Sequence, residues 1–307
     1  MGIMYSILII MNIISTVLFI MFLCYLLKNQ NKKNNIFYCV MNAMIISFIQ
    51  CLGTLLNWKD TKDSNLYYGE EYGILCQSQG ILLITTTVSL ELWTTIIVIL
   101  LYLKLMRKKK KSSNPKKKYH LICFHLLSYI FPISLTSFIK FNDAIGANHH
   151  FCFIKLGKGI FILYFFIVKW IIITISTIST ILLIRRIRKS NNWEKEDINK
   201  FNKNKRSALT FIIFPLFQIF DFFPGTIYRI VNKFYPDITY LAFIHIISVA
   251  SSSIVYTCFY GRQIGMFNYY KEKIYKGKKE DMDISFDKRY LDSITRDNSN
   301  LIRNNGK

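Results

Sequence analysis

Four ionisable residues stand inside long apolar stretches of this chain: Glu91, Lys169, Asp221 and His245. An ionisable group in an apolar medium costs several kcal/mol unless it is paired, so each marks a place where charge is put to use. An acid and a base in contact there can hold helices together, switch partners or pass a proton. At a rise of about 1.5 Å per residue, Lys169 lies roughly 15 Å along its helix from one end, and Asp221 lies roughly 16 Å from the corresponding end of its own. These matched depths predict a Lys169–Asp221 ion pair. Glu91, roughly 22 Å along its helix from Cys76, is deeper and is expected to act as a separate lock. His245 is read as a packed, hydrogen-bonded imidazole.

A second group of charges could recognise an anion. Arg229, Lys155, Lys158, Lys169 and the His149, His150 pair would together form a cationic pocket rim. Asp60, Asp63, Glu70 and Glu71 could neutralise the same groups.

The elements that must position these residues are seven mostly apolar runs: Ile3 to Leu27, Ile36 to Leu56, Ile74 to Leu103, Leu121 to Ile139, Ile160 to Ile184, Ala208 to Val231 and Tyr240 to Tyr260. Segments so long can satisfy their backbone amides in a hydrocarbon layer only as helices. The expected fold is therefore all-α, a seven-helix transmembrane bundle. The first run has neither a basic segment before it nor a small-residue cleavage pattern after it, and is read as a retained helix. Pro132, Pro215 and Pro224 fall inside runs, where a missing N–H favours kinks that can pivot.

Charge distribution orients the bundle. The chain carries 40 Lys and Arg against 18 Asp and Glu. Three, nine and nine basic residues follow the first, third and fifth runs, against two, three and one in the alternate connections. Positive charge collects on the cytosolic side, so the amino terminus is expected outside the cell and the carboxyl tail inside, in the plasma membrane. Such a basic balance needs no nucleic acid to explain it. Arg107, Lys108, Arg185, Arg186, Arg188 and Trp193 then form a cytosolic surface suited to an acidic or amphipathic partner. In residues 261–279, Phe267, Tyr270, Ile274 and Tyr275 fall near one helical face with lysines largely elsewhere, as in an amphipathic helix lying on anionic lipid. Residues 280–307 are polar and are expected to be disordered; Ser285, Ser293 and Thr295 are candidate phosphorylation sites there.

Of the seven cysteines, Cys24, Cys39, Cys123 and Cys258 fall in cytoplasmic halves, where reducing conditions oppose pairing. Cys76 and Cys152 share the oxidising side. A Cys76–Cys152 disulfide is expected, with Cys51 as the rival partner. No protease, hydrolase or phosphate-loop motif is present, so no enzyme, cofactor or metal is expected. A lysine for a retinal Schiff base is missing from the last run. Asp-Arg-Tyr and Asn-Pro-x-x-Tyr, the marks of rhodopsin-type receptors, are missing too.

In three places the chain resembles the cyclic-AMP receptor family of social amoebae, the class E G-protein-coupled receptors. Cys76 is followed by Leu92, Trp93, Thr94 and then Tyr102 in that family's spacing; Phe151-Cys152-Phe153-Ile154 is similar to its aromatic-Cys-aromatic-Ile loop; and Arg229-Ile230-Val231-Asn232 is similar to its Arg-Ile-Val-Asn. The resemblance implies a receptor that passes an extracellular signal to a heterotrimeric G protein, the Cys76–Cys152 disulfide, and a cyclic-nucleotide-like ligand. The last run departs from the family: Ala250-Ser251-Ser252-Ser253 stands where His-Gly-Phe-Trp is expected, and Gly261-Arg262-Gln263 where Asn-Asn-Pro is expected. With these departures the chain resembles an orphan, receptor-like member of the family, and the expected ligand is cyclic AMP or an unknown small molecule, anionic if it meets the cationic rim. The alternative reading is a small-solute or proton-coupled transporter that uses Glu91, Lys169 and Asp221.

Overall fold

A computed structural model describes residues 2–28, 35–56, 74–106, 117–148, 151–155, 157–189, 213–234 and 239–273. Seven long helices account for most of them: α1 (Gly2–Lys28), α2 (Asn35–Gly53), α3 (Ile74–Met106), α4 (Lys117–Phe141), α5 (Gly159–Lys189), α6 (Ile213–Phe234) and α7 (Thr239–Ile264). A further helix, α8, covers residues 266–273. The chain divides into two compact units, Met1–Tyr260 and Gly261–Lys307.

Several hydroxyl groups inside these apolar helices bond locally. Thr16 donates to Asn12 O at 2.8 Å, Thr177 to Ile173 O at 2.8 Å and Thr257 to Ser253 O at 2.7 Å, so each hydroxyl is satisfied within its own helix.

The distribution of side chains is inverted relative to a water-soluble bundle. Ile10, Ile13, Val17 and Ile20 of α1, Leu126, Ile130 and Ile133 of α4, and Leu163, Ile167, Ile171, Ile175 and Ile178 of α5 are exposed, whereas Ser15, Gln50, Gln79, Glu91, Lys169 and Gln218 are buried. Such a surface must be covered by lipid. Among the described residues five helices are long and apolar enough to cross a membrane, in α1, α3, α4, α5 and α7. The chain is a multi-pass membrane protein.

The central helix is α3. It packs against α2, α4, α5 and α6 and against both strands of the hairpin described below, and most of its length is buried. α7 closes the ring: Ser253 and the Ser15 hydroxyl of α1 share a hydrogen bond, Cys51 of α2 donates to Ala250 O, and Tyr256 meets Phe217 of α6 edge to face. The residues that make these contacts all lie in the first unit.

One element departs from the all-α expectation. β1 (Ile145–Asn148) pairs antiparallel with β2 (Phe151–Ile154), Ala147 opposite Cys152. Four-residue strands show too little alternation to stand out in sequence. Asp143 makes the hairpin possible: its φ of 49° ends α4 in a left-handed turn, and the next amide, that of Ala144, donates to Ile139 O at 3.2 Å. At the other end of the chain Gly265, with φ 84°, terminates α7. In α8, Met266 is buried, Phe267 and Tyr270 are half-buried, and Lys271, Glu272 and Lys273 are exposed, while Ile274 and Tyr275 lie outside the described residues.

Candidate functional site

The hairpin is fastened to α3 in two ways. Cys76 and Cys152 form a disulfide. One turn further along α3, Gln79 accepts the Cys152 backbone N–H at 2.8 Å through Oε1, while its Nε2 donates to Gly53 O at 3.1 Å and to Leu56 O. Gln79 therefore ties β2, α3 and the end of α2 through one amide. Gly80 allows the close approach, because a Cβ there would fall 2.4 Å from Ile145.

Under β2 lies a small cavity. Leu83 and Thr87 of α3, Phe165, Phe166 and Lys169 of α5, Phe222, Gly225 and Arg229 of α6, and His245, Ile246 and Val249 of α7 form its walls, and Phe151 and Phe153 of β2 complete them. Its free space is about 20 Å³, room for one or two water molecules. The walls are aromatic and carry two cations, and no carboxylate is among them.

Each cation is held. Arg229 donates from Nη1 to Ile154 O at 3.2 Å, and its guanidinium carbon lies 5.5 Å from the Phe153 ring centroid and 5.6 Å from that of Tyr228. Lys169 Nζ lies 2.8 Å from Glu91 Oε1 and 3.8 Å from the Phe222 centroid. Both members of this ion pair are buried. His245 rests on Gly225: a Cβ at that glycine would fall 2.5 Å from Cε1 of the imidazole. The His245 Nδ1 has no hydrogen-bond partner, so the expectation of a satisfied histidine is not met at that atom.

The expected Lys169–Asp221 pair is corrected by this geometry: Lys169 pairs with Glu91 instead. Depths counted from the ends of different helices share no common plane. α3 has 33 residues, about 50 Å at 1.5 Å per residue, so a count from its end does not fix the level of Glu91 against residues of α5 and α6. Asp221 is buried in α6, and its Oδ1 has no partner.

Of the other sequence-derived residues, Arg229 and Lys169 come together at the cavity. Lys155 instead pairs with exposed Asp143 at 2.8 Å. The Lys158 carbonyl accepts the Phe161 amide at 3.0 Å at the start of α5. His149 and His150 lie outside the described residues, as do Arg107, Lys108 and Trp193. Arg185 is exposed and Arg186 half-buried near the end of α5, where the backbone of Arg188 is helical. Leu92 is buried, and Trp93 packs edge to face on His125 (4.8 Å) and Tyr129 (5.8 Å) of α4. Tyr129 then donates to Asn42 Oδ1 of α2 at 2.8 Å. Thr94 donates to Glu91 O at 2.9 Å and accepts from Gln218 Nε2. Tyr102 is half-buried, and Asn232 belongs to the last turns of α6.

Gln79 and Gln218 were missed as site residues. The rule that singles out charges in apolar runs extends to uncharged amides, which also need partners there. No protein-family model matches the chain, and no curated protein matches it.

Proposed function

We propose that the chain is a seven-span G-protein-coupled receptor of the cyclic-AMP receptor-like type, which carries an extracellular signal to a cytosolic heterotrimeric G protein. One observation carries this reading: the aromatic, dication-bearing cavity that α3, α5, α6 and α7 form beneath a disulfide-anchored hairpin. A single ligand there touches four helices at once. Two cations against aromatic faces suit a small anion with a flat, unsaturated body.

The small free space means that occupancy must spread the walls. α6, with Pro224 in its interior, is the wall built to pivot. A ligand that binds the spread state better shifts the population toward it and opens the opposite end for the G protein. In this reading α2 and α6 span the membrane with the five longer helices, the amino terminus is extracellular, and the basic ends of α3 and α5 face the partner at the plasma membrane.

The test is nucleotide exchange. The full chain in lipid nanodiscs should accelerate GDP release from a heterotrimeric G protein when given small organic anions, cyclic nucleotides among them. No acceleration across such a panel, with substrate flux in proteoliposomes instead, would overturn the receptor reading in favour of a transporter.

A further inference from the structure

Between α3 and α6 three buried acceptor oxygens have no donor: Glu91 Oε2, Gln218 Oε1 and Asp221 Oδ1. Their residues are 4%, 1% and 9% exposed. The Gln218 side chain lies against α3, where its Nε2 donates to Glu91 O at 3.2 Å and to Thr94. Asp221 follows one turn later on the same side of α6. Lys169 of α5 and Asp221 feel one another's charge, as do Glu91 and Asp221. From α7, Tyr256 stands within electrostatic reach of both acids, and His245 within reach of Lys169 and Arg229.

Two carboxylates share one ammonium, and that ammonium is bonded to Glu91 at 2.8 Å. Fully ionised, the set would carry a surplus negative charge in an apolar core. The surplus charge and the missing donor have one common remedy, a cation that also donates a hydrogen bond. Among the described residues no group of three or more His, Cys, Asp or Glu side chains is placed to hold a metal ion. A proton needs no such group.

We propose that Asp221 is a buried proton-binding site: the resting protein holds Glu91 as carboxylate, Lys169 as ammonium and Asp221 as the neutral acid. The proton comes from bulk water, and its O–H donates to one of the orphaned oxygens. Removing it restores a lone charge between α3 and α6 and loosens their packing. The site thereby makes the packing of α6, the helix with proline in its interior, sensitive to pH. This inference stands apart from G-protein coupling and survives if the protein proves to be a transporter.

Infrared spectroscopy of the full chain in lipid nanodiscs tests it. The expected result at neutral pH is a carbonyl band of a protonated carboxylic acid that shifts in D₂O, moves with ¹³C-aspartate but not ¹³C-glutamate labelling, and disappears in Asp221→Asn. Replacing choline chloride by sodium chloride at constant pH should leave the band in place. The labelling arm needs no substituted protein, so the test survives if the variant fails to fold. As a second readout, the wild-type unfolding midpoint should fall as the pH becomes alkaline, while that of Asp221→Asn stays flat. Absence of the band in wild type, its movement with glutamate label, or its loss in sodium would overturn the proposal.

Discussion

The ammonium of Lys169, which lines the cavity, lies 2.8 Å from Glu91 Oε1, and this buried contact joins α5 to α3. Removing Lys169 leaves Glu91 without its cation, a loss of about 3–5 kcal/mol for a buried pair, whereas removing Glu91 leaves the ammonium within electrostatic reach of Asp221 and should cost less. Glu91→Gln and Lys169→Met are each expected to lower the thermal unfolding midpoint in nanodiscs. The double substitution should recover most of the loss, because no orphaned charge remains. Additive losses in the double variant would mean that the two side chains stabilise the core independently.

The disulfide makes a different demand. Cys76 and Cys152 are separated by 76 residues, and cross-linking a loop of that size constrains the unfolded chain by about 4 kcal/mol. Cys76→Ser and Cys152→Ser should destabilise the protein equally, and the double variant no further. Thermal unfolding with and without reductant checks this. A reductant-insensitive wild type would count against it.

Much of this arrangement was legible in the sequence, for a physical reason. A span in lipid must be a long apolar helix; the runs mark the long helices to within a few residues at most described ends, and among the described residues five of these helices are long and apolar enough to cross a membrane. Of the expected cationic rim, Lys169 and Arg229 line one cavity, whereas Lys155 pairs with Asp143. What was not legible depends on how helices lie against one another. The sequence places Lys169 at a depth but does not say whether α3 or α6 presents the carboxylate. The hairpin escaped notice because tertiary contacts sustain it: the Cys152 disulfide and the Gln79 amide fix four-residue strands that no local pattern announces. Trp93 was read as a family mark; its contacts with His125 and Tyr129 show an α3–α4 packing residue.

The contact between Gly225 and His245 offers a steric test of the cavity. A valine at 225 would push the imidazole, which a Cβ already meets at 2.5 Å, into the small free space. Gly225→Val is therefore expected to weaken ligand response at least tenfold, and adding His245→Ala should restore part of it by vacating that space. Dose–response curves for G-protein activation measure both. A Gly225→Val protein that is folded and fully responsive would separate the cavity from signalling.

Arg229 and Lys155 allow the cavity to be distinguished from the surface, because both are basic and both belong to the same end of the fold. Arg229 lines the cavity, bonded to Ile154 O at 3.2 Å. Lys155, the next residue along, turns to Asp143, whose side chain is 78% exposed. An exposed ion pair contributes about 0–1 kcal/mol, so Lys155→Ala should leave stability and ligand response nearly unchanged. Arg229→Ala removes a cation from the ligand site and a tether from β2. If the ligand is an anion held by a charge-assisted bond, affinity should fall by about 1.5–3 kcal/mol, a tenfold to hundredfold rightward shift in the response curve. Arg229→Lys should recover only part of that, since an ammonium keeps the charge but lacks the planar fork that reaches both Ile154 O and the ring of Phe153. Equal effects of the Arg229 and Lys155 substitutions would mean that the ligand is attracted by the general basic field at that end and not by the cavity.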